Sequence, residues 1–142
     1  MGYYNTGVSV YDKLYDKFQH IESIKNTPNS LQIPSVTAIT KDNTGNLWLC
    51  MDGGGIDILN TDTNIFTHIS QQNNTIYKGL ASDYIETVFV DSQENIWAGS
   101  WDKGLFFLKK GSKTFINYNV DNSNEGLQSN TVMSITEDSK GL

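Results

Sequence analysis

Three aspartates recur at nearly constant spacing and are the first residues of this sequence that could carry acid–base or metal chemistry. Asp42 and Asp91 are 49 residues apart, and Asp138 follows 47 residues later. Asp42 begins the segment Asp42-Asn-Thr-Gly45, and Asp138 begins a segment that ends at Gly141. This Asp-to-Gly spacing is typical of type I turns. Carboxylates that act together on a substrate must converge within several ångströms. A periodic Asp instead predicts one capped turn per repeat.

Other residues that could bind ions or act as nucleophiles are isolated. His20 and His68 occupy equivalent repeat positions but, as a metal pair, lack the company of Cys or carboxylate ligands, so we predict no metal site. Gly53-Gly-Gly55 lacks the Lys-Ser/Thr pair and the helix of a phosphate loop. Cys50 is the only cysteine, and its strand position predicts a small buried side chain. We therefore predict no catalytic residue and no cofactor.

The same period extends to residues that pack rather than react. Trp48 and Trp97 are also 49 residues apart. Large aromatic residues at equivalent positions of a repeat usually fill the space between neighbouring units. Three ungapped windows align in addition, and they share a glycine at their start (Gly7, Gly55, Gly104) and a phenylalanine near their end (Phe18, Phe66, Phe115). We predict inter-repeat packing for the tryptophans and for the three phenylalanines.

Each complete repeat predicts four strands, which alternate in polarity and are rich in β-branched residues. The first strand of the unit recurs at Val36–Thr40, Ile85–Val90 and Val132–Thr136. The second, third and fourth strands are predicted at Leu47–Met51 and Ile96–Ser100, at Ile56–Leu59 and Leu105–Leu108, and at Phe66–Ile69 and Phe115–Tyr118. Four-stranded antiparallel units with this period are the blades of a β-propeller. The fold class is therefore all-β.

The repeats divide the chain into whole and partial blades. Residues 36–69 and 85–118 each form one predicted full blade, whereas 1–21 would supply the end of a blade and 132–142 the first strand of another. Closed propellers have about four to eight blades. We therefore expect 1–142 to be a single partial propeller, and we expect its open edges to promote self-association.

One turn departs from the repeat. Glu94 stands where Gly45 stands in the first copy, and we predict that the neighbouring Asn95 takes the positive φ there.

Candidate ligand-binding residues come from the unrepeated connections. Strand direction alternates within a blade, so the second-to-third connections and the connections between blades emerge on one face. Aromatic rings mixed with carboxylates on such a face suit hydroxyl-rich ligands, because rings stack on sugars while polar groups orient them. The candidates on this face are Trp101, Tyr84, Asp83, Asp102, Asp52, Tyr4 and Tyr77.

Charge and hydropathy exclude other partners. The net charge is −6, and all ten basic residues are Lys, which argues against nucleic-acid binding. No apolar run approaches the about 18 residues of a membrane span, so direct membrane insertion of this segment is not expected.

Several of these phrases resemble the two-component regulator propeller repeat. They are Gly45-Asn-Leu-Trp48, Gly126-Leu-Gln-Ser-Asn-Thr-Val132, Val132-Met-Ser-Ile-Thr-Glu-Asp-Ser-Lys-Gly141 and, at the start, Gly2-Tyr-Tyr-Asn-Thr-Gly-Val-Ser-Val-Tyr-Asp12. The resemblance covers nearly the whole chain. It departs from the family pattern at Cys50, Met51 and Glu94.

The resemblance implies a periplasmic sensor domain of a hybrid two-component histidine kinase of the Bacteroidetes type, anchored in the inner membrane. It implies an oligosaccharide ligand, further blades and a homodimer partner. The segment itself would then be no enzyme, since the kinase domains would lie elsewhere in the parent protein. Two alternatives remain open: a propeller enzyme that hydrolyses or lyses glycans, and a protein-interaction scaffold.

Overall fold

The strands of the described part of this chain form three antiparallel sheets that follow one another along the sequence. The computed structural model describes residues 1–122 and 126–141, so Leu142, the last residue of the predicted 132–142 segment, lies outside the described residues. Every assigned element in this described part is a strand. The all-β prediction is confirmed.

The first sheet has three strands and the other two have four each. The first consists of β1 (Gly2–Tyr3), β2 (Gly7–Asp12) and β3 (Lys17–Ile21). The second consists of β4 (Val36–Lys41), β5 (Leu47–Met51), β6 (Gly55–Asn60) and β7 (Ile65–Ile69). The third consists of β8 (Ile85–Val90), β9 (Ile96–Ser100), β10 (Leu105–Leu108) and β11 (Ile116–Tyr118).

Each sheet is a meander in which sequential strands pair, and the sheets stack through two apolar cores. One core lies between the first and second sheets and includes Val8, Leu49 and Leu59. The other lies between the second and third sheets and includes Trp48 and Phe106. The first strands of the two complete sheets, β4 and β8, also pack against each other. This is the arrangement of consecutive propeller blades.

The aromatic residues predicted to pack between blades differ in burial. Trp48 is 4% exposed and Phe115 also 4%, whereas Trp97 and Phe66 are only half-buried. Phe18 is 54% exposed, so its predicted inter-blade packing is wrong in this structure. Its ring contacts Tyr11 at 5.2 Å between centroids. Phe18 is exposed because, within the described chain, no sheet covers the side of the first sheet on which it lies.

The structure also departs from prediction at Val132–Thr136, where no strand is assigned. The amide of Val132 donates to Ser100 O at 2.8 Å. No strand of the described chain pairs with the residues that follow, and an extended segment without a hydrogen-bonded neighbour is not part of a sheet. The turn after it still forms, because Gly141 N donates to Asp138 O.

The turn at Glu94 corrects a further expectation. Glu94 itself has a φ of 65°, in the left-handed region, and Asn95 does not. Gly45 has a φ of 92° at the equivalent position. The turn closes as it does at Gly45, since the Glu94 amide donates to Asp91 O at 2.9 Å, and the Glu94 carboxylate lies 2.7 Å from Lys110 Nζ.

Candidate functional site

An open cleft of about 490 Å³ lies at the end of the second and third sheets. Its lining residues are Asp52, Tyr84, Glu86, Trp101 and Asp102. Four of these five were candidates from the sequence, namely Trp101, Tyr84, Asp102 and Asp52. The fold therefore brings most of the predicted residues to one place.

Equivalent turns of neighbouring blades build this cleft. Asp52 directly follows β5, and Trp101 and Asp102 directly follow β9. Tyr84 directly precedes β8, where its backbone pairs with Asp52 and its carbonyl accepts a hydrogen bond from Trp101 N at 3.0 Å. The backbone of Tyr84 thus bridges two blades, and its ring is held at the junction.

Two aromatic rings in the cleft are open to solvent. Trp101 is 57% exposed and Tyr84 is 48% exposed. The main chain of Trp101 is nevertheless fixed, because its carbonyl accepts a hydrogen bond from Thr131 Oγ1 at 2.7 Å. An exposed ring on an ordered backbone is a ready surface for stacking a flat ligand face.

Three carboxylates surround these rings. The buried Ser82 hydroxyl donates to Asp102 Oδ1, and the Tyr4 hydroxyl donates to Asp52 Oδ2 at 3.3 Å. Partial burial, together with the nearby negative charge of Asp52, raises the pKa of Glu86. Among the described residues no Lys lines the cleft, so the side chains that line it carry negative charge.

Glu86 is the cleft residue that sequence reasoning missed. It is the second residue of β8, at the position that Thr37 and Met133 hold in the other copies. The sequence signal that could have identified it is a single acidic residue in β8, a strand of otherwise apolar and β-branched residues. Its meaning depended on knowing that this strand borders the cleft.

Two further candidates lie at the margin of the cleft. Tyr4 reaches it only through the bond to Asp52. Asp83 stabilises the turn around Gly53-Gly-Gly55, since its carbonyl accepts hydrogen bonds from the amides of Gly53 and Gly55. Its side chain accepts from Gln71 N at 2.7 Å, so this carboxylate is engaged in holding a loop.

Tyr77 lies away from the other candidates. Its ring contacts Trp48 edge-on at 6.0 Å between centroids, and Lys113 Nζ lies 4.0 Å from the Tyr77 ring centre. The reason is the path of the connection, because Lys78 pairs with Thr114 near the outer strand before the chain reaches the cleft. Tyr77 therefore fills the gap between the second and third sheets.

The repeated aspartates form capped turns, as the sequence predicts. Asp42 Oδ1 accepts hydrogen bonds from the amides of Thr44 and Asn46, and Asp42 Oδ2 accepts one from Trp48 Nε1 at 2.9 Å. Burial of Asp42 raises its pKa, but the hydrogen bonds from Trp48, Thr44 and Asn46 outweigh this and leave the pKa lowered. Asp91 repeats the pattern, with Trp97 Nε1 at 2.8 Å.

The single cysteine and the possible metal ligands do not add a second candidate site among the described residues. Cys50 is fully buried, and this burial raises the pKa of its thiol. Within residues 1–122 and 126–141, no group of three or more His, Cys, Asp or Glu side chains could hold a metal ion. The described part of the chain also contains no helix that could cross a membrane.

Solved structures share this fold. The extracellular domain of the putative hybrid two component system BT3049 from B. thetaiotaomicron aligns with a TM-score of 0.79 and 24% identity, over 96% of this chain and 18% of that chain. PorZ, an essential surface component of the type-IX secretion system of Porphyromonas gingivalis, aligns with a TM-score of 0.57 and 13% identity, over 96% of this chain and 27% of that chain.

The chain thus spans less than a third of the length of either protein. At these identities the likeness concerns the fold. No protein-family model matches the sequence, and no curated protein matches it.

Proposed function

We propose that this chain is part of the extracytoplasmic, ligand-sensing β-propeller of a hybrid two-component sensor histidine kinase. In this proposal it lies in the periplasm, outside the inner membrane, and it has no catalytic activity of its own. The fold shared with the extracellular domain of BT3049 supports this assignment. The repeat phrases that resemble the two-component regulator propeller support it independently.

The cleft is the proposed ligand site, and an oligosaccharide is the proposed ligand. The observation that carries this is the pair of exposed rings, Trp101 and Tyr84, set among three carboxylates. Sugar rings present C–H faces that stack on aromatic rings, and their hydroxyls donate hydrogen bonds to carboxylates. The cleft offers both kinds of contact within about 490 Å³.

The charge of the cleft restricts the oligosaccharide. Asp52, Glu86 and Asp102 line it without a Lys, so a sulfated or uronic glycan would bring like charges together. We therefore expect neutral or amine-bearing oligosaccharides to bind in preference to polyanionic ones.

The test is calorimetric titration of the chain with neutral, amine-bearing and sulfated oligosaccharides. Trp101→Ala should weaken binding of the best ligand by about tenfold, since an aromatic contact contributes roughly 0.5–1.5 kcal/mol beyond its buried area. Tyr15→Ala is the matched control, because Tyr15 is 67% exposed on the β2–β3 hairpin, away from the cleft. Equal affinity in both variants would contradict the site.

One observation favours a second candidate, a glycan hydrolase. Glycosidases use two carboxyl groups, one of which has a raised pKa and acts as the acid. Glu86, with its raised pKa, and Asp52 share the cleft. Incubation with the same oligosaccharides separates the two functions: product release that Glu86→Gln abolishes would favour hydrolysis, and binding without turnover favours sensing.

A further inference from the structure

The imidazole of His68 is held between two oxygen acceptors. Nδ1 lies 2.6 Å from Asp57 Oδ1, and Nε2 lies 2.7 Å from the carbonyl oxygen of Pro28. A carbonyl can only accept, and Asp57 also accepts hydrogen bonds from Gln32 N and Gln32 Nε2 at 2.9 Å each. Both ring nitrogens must then donate, which requires the doubly protonated imidazolium.

Few charged groups of the described residues lie around this ring. Two elements pack against it: β6 supplies Asp57, which is 0% exposed, and the connection between β3 and β4 supplies Lys25, which lines the same cavity as His68. Its own strand, β7, has no other titratable residue. The hydrogen bond to Asp57 raises the pKa of His68; burial opposes this, and the bond to Pro28 O reinforces it.

The contacts of Asp57 extend toward the cleft. Gln32 Nε2 bonds to Asp57 Oδ1 and also donates to the carbonyl of Gly54 at 3.1 Å. Gly54 lies in the tight connection between β5 and β6, two residues after Asp52 of the cleft. A continuous hydrogen-bonded network therefore joins His68 to the turn that carries a cleft carboxylate.

We propose that His68 is a proton-dependent clasp. In its protonated form it ties residues 28–32 to β6 and β7, and through Gln32 it positions the turn at residues 52–55. Loss of one ring proton leaves an acceptor facing an acceptor, either at Asp57 or at Pro28, and loosens the connection, which Asn29 and Gln32 still hold through their own hydrogen bonds. This positioning role goes beyond the proposed ligand site and does not depend on which ligand binds there.

The direction of the pH effect follows from linkage. A His whose pKa is raised by folding stabilises the folded state fully below its unfolded pKa of about 6.5. That stabilisation is lost as the pH rises through the higher folded-state pKa. The clasp should therefore be closed in mildly acidic solution and should open progressively in alkaline solution.

The other two sheets contain natural comparisons. His20 and Asn117 occupy the position of His68 in the first and third sheets, and Ser9 and Phe106 occupy the position of Asp57. His20 Nδ1 lies 2.8 Å from the Ser9 hydroxyl, so a hydroxyl stands where Asp57 faces His68 in the second sheet. Only the second sheet, among the described residues, combines the His with a buried carboxylate. His20→Asn is therefore the matched control for His68→Asn.

Trypsin cleavage after the exposed Lys25 tests the clasp in the full chain. The rate is divided at each pH by that of a synthetic peptide of residues 20–32, which removes the pH dependence of the protease. This ratio should rise about tenfold between pH 6 and pH 9 in the wild type, the factor for loss of one hydrogen bond to a charged group. It should be high and flat in His68→Asn, and His20→Asn should behave as the wild type.

Two results would overturn the proposal. One is a wild-type ratio that does not change with pH, and the other is a His68→Asn variant that keeps the wild-type rise. Nitrogen-15 NMR of the wild-type side chain provides a test that needs no variant. At pH 6, below the unfolded pKa of about 6.5, the proposal requires protons on both ring nitrogens of His68, and a neutral ring would contradict it.

Discussion

The Asp42 carboxylate accepts hydrogen bonds from both the backbone and a tryptophan. Its oxygens bind the amides of Thr44 and Asn46 and the indole N–H of Trp48, which is 4% exposed. Trp48 lies in the core between the second and third sheets. The side chain of Asp42 therefore couples the shape of the turn to the orientation of Trp48 in the core. This explains why Asp and Trp recur together.

Removal of this carboxylate should destabilise the chain. Asp42→Ala leaves the buried Trp48 Nε1 and two turn amides without their acceptor, and we expect a loss of about 1–3 kcal/mol in the free energy of unfolding. Chemical denaturation measures it. Asp62→Ala is the control and should change stability by less than about 0.5 kcal/mol, because Asp62 is exposed in the β6–β7 turn. Equal losses would contradict the coupling.

At the scale of the element, three equivalent glycines allow the backbone at the start of one strand to lie close to a carbonyl oxygen of its neighbour. Gly7, Gly55 and Gly104 all have φ near 80°, and a Cβ on any of them would lie within 2.3 Å of a neighbouring carbonyl oxygen. For Gly55 that oxygen is the carbonyl of Ile69, the last residue of β7. The bend at the start of β2, β6 and β10 therefore excludes a side chain for two separate reasons: the positive φ of the backbone and the contact with the neighbouring carbonyl oxygen.

A pair of alanine variants separates these reasons. Gly55→Ala combines strain at positive φ with a contact at 2.2 Å, so it should cost about 2–4 kcal/mol. Gly111→Ala has a φ of 77° but no atom within 4 Å of its Cβ, so it should cost only about 1 kcal/mol. Thermal or denaturant unfolding measures both, and a Gly55→Ala cost no larger than that of Gly111→Ala would show that contact is unimportant.

The connections between sheets form equivalent hydrogen bonds to the outer strand, in one case through the backbone and in the other through a side chain. Lys78 joins the edge of the third sheet through its backbone, bonding with Lys113 O and Phe115 N at 2.8 Å. One repeat earlier, Asn29 uses its side-chain amide, whose Nδ2 donates to Asn64 O and whose Oδ1 accepts from Phe66 N. The contact is kept although the local sequence differs, so alignment of residue types alone would not reveal it.

At the scale of the molecule, the sheets are held together by two apolar cores, and one flank remains apolar and open. Tyr11, Leu14, Tyr15 and Phe18 are each at least 47% exposed on the first sheet and its β2–β3 hairpin. The rings of Tyr11 and Phe18 lie against each other, and exposed apolar surface of this kind promotes association.

We therefore predict that the 142-residue chain self-associates, with a sedimentation coefficient that rises with concentration. A Tyr11→Lys and Phe18→Lys double variant should shift the distribution toward monomer, because it places charge on the open flank. Ile76→Lys is the control, since Ile76 is 59% exposed on the connection between β7 and β8. A wild-type chain that stays monomeric at all concentrations would contradict the prediction.

The sequence by itself determined the repeat, because its windows can be compared directly with one another along the chain. It also determined the all-β class and the Asp-capped turns, because each depends on residues within a few positions of one another. Strand pattern, Asp-to-Gly spacing and the Asp–Trp pair are local. Phe18 marks the limit of that reasoning, since its burial requires a neighbouring sheet and not only a repeat position.

Only the tertiary structure decided which side chains meet. Asp52, Tyr84 and Trp101 form one cleft because turns from neighbouring blades converge there, and Tyr77 leaves it because its connection pairs with an outer strand. The clasp between His68 and Pro28 joins residues 40 positions apart. Such contacts depend on how sheets stack, and stacking is not encoded in any single window of the sequence.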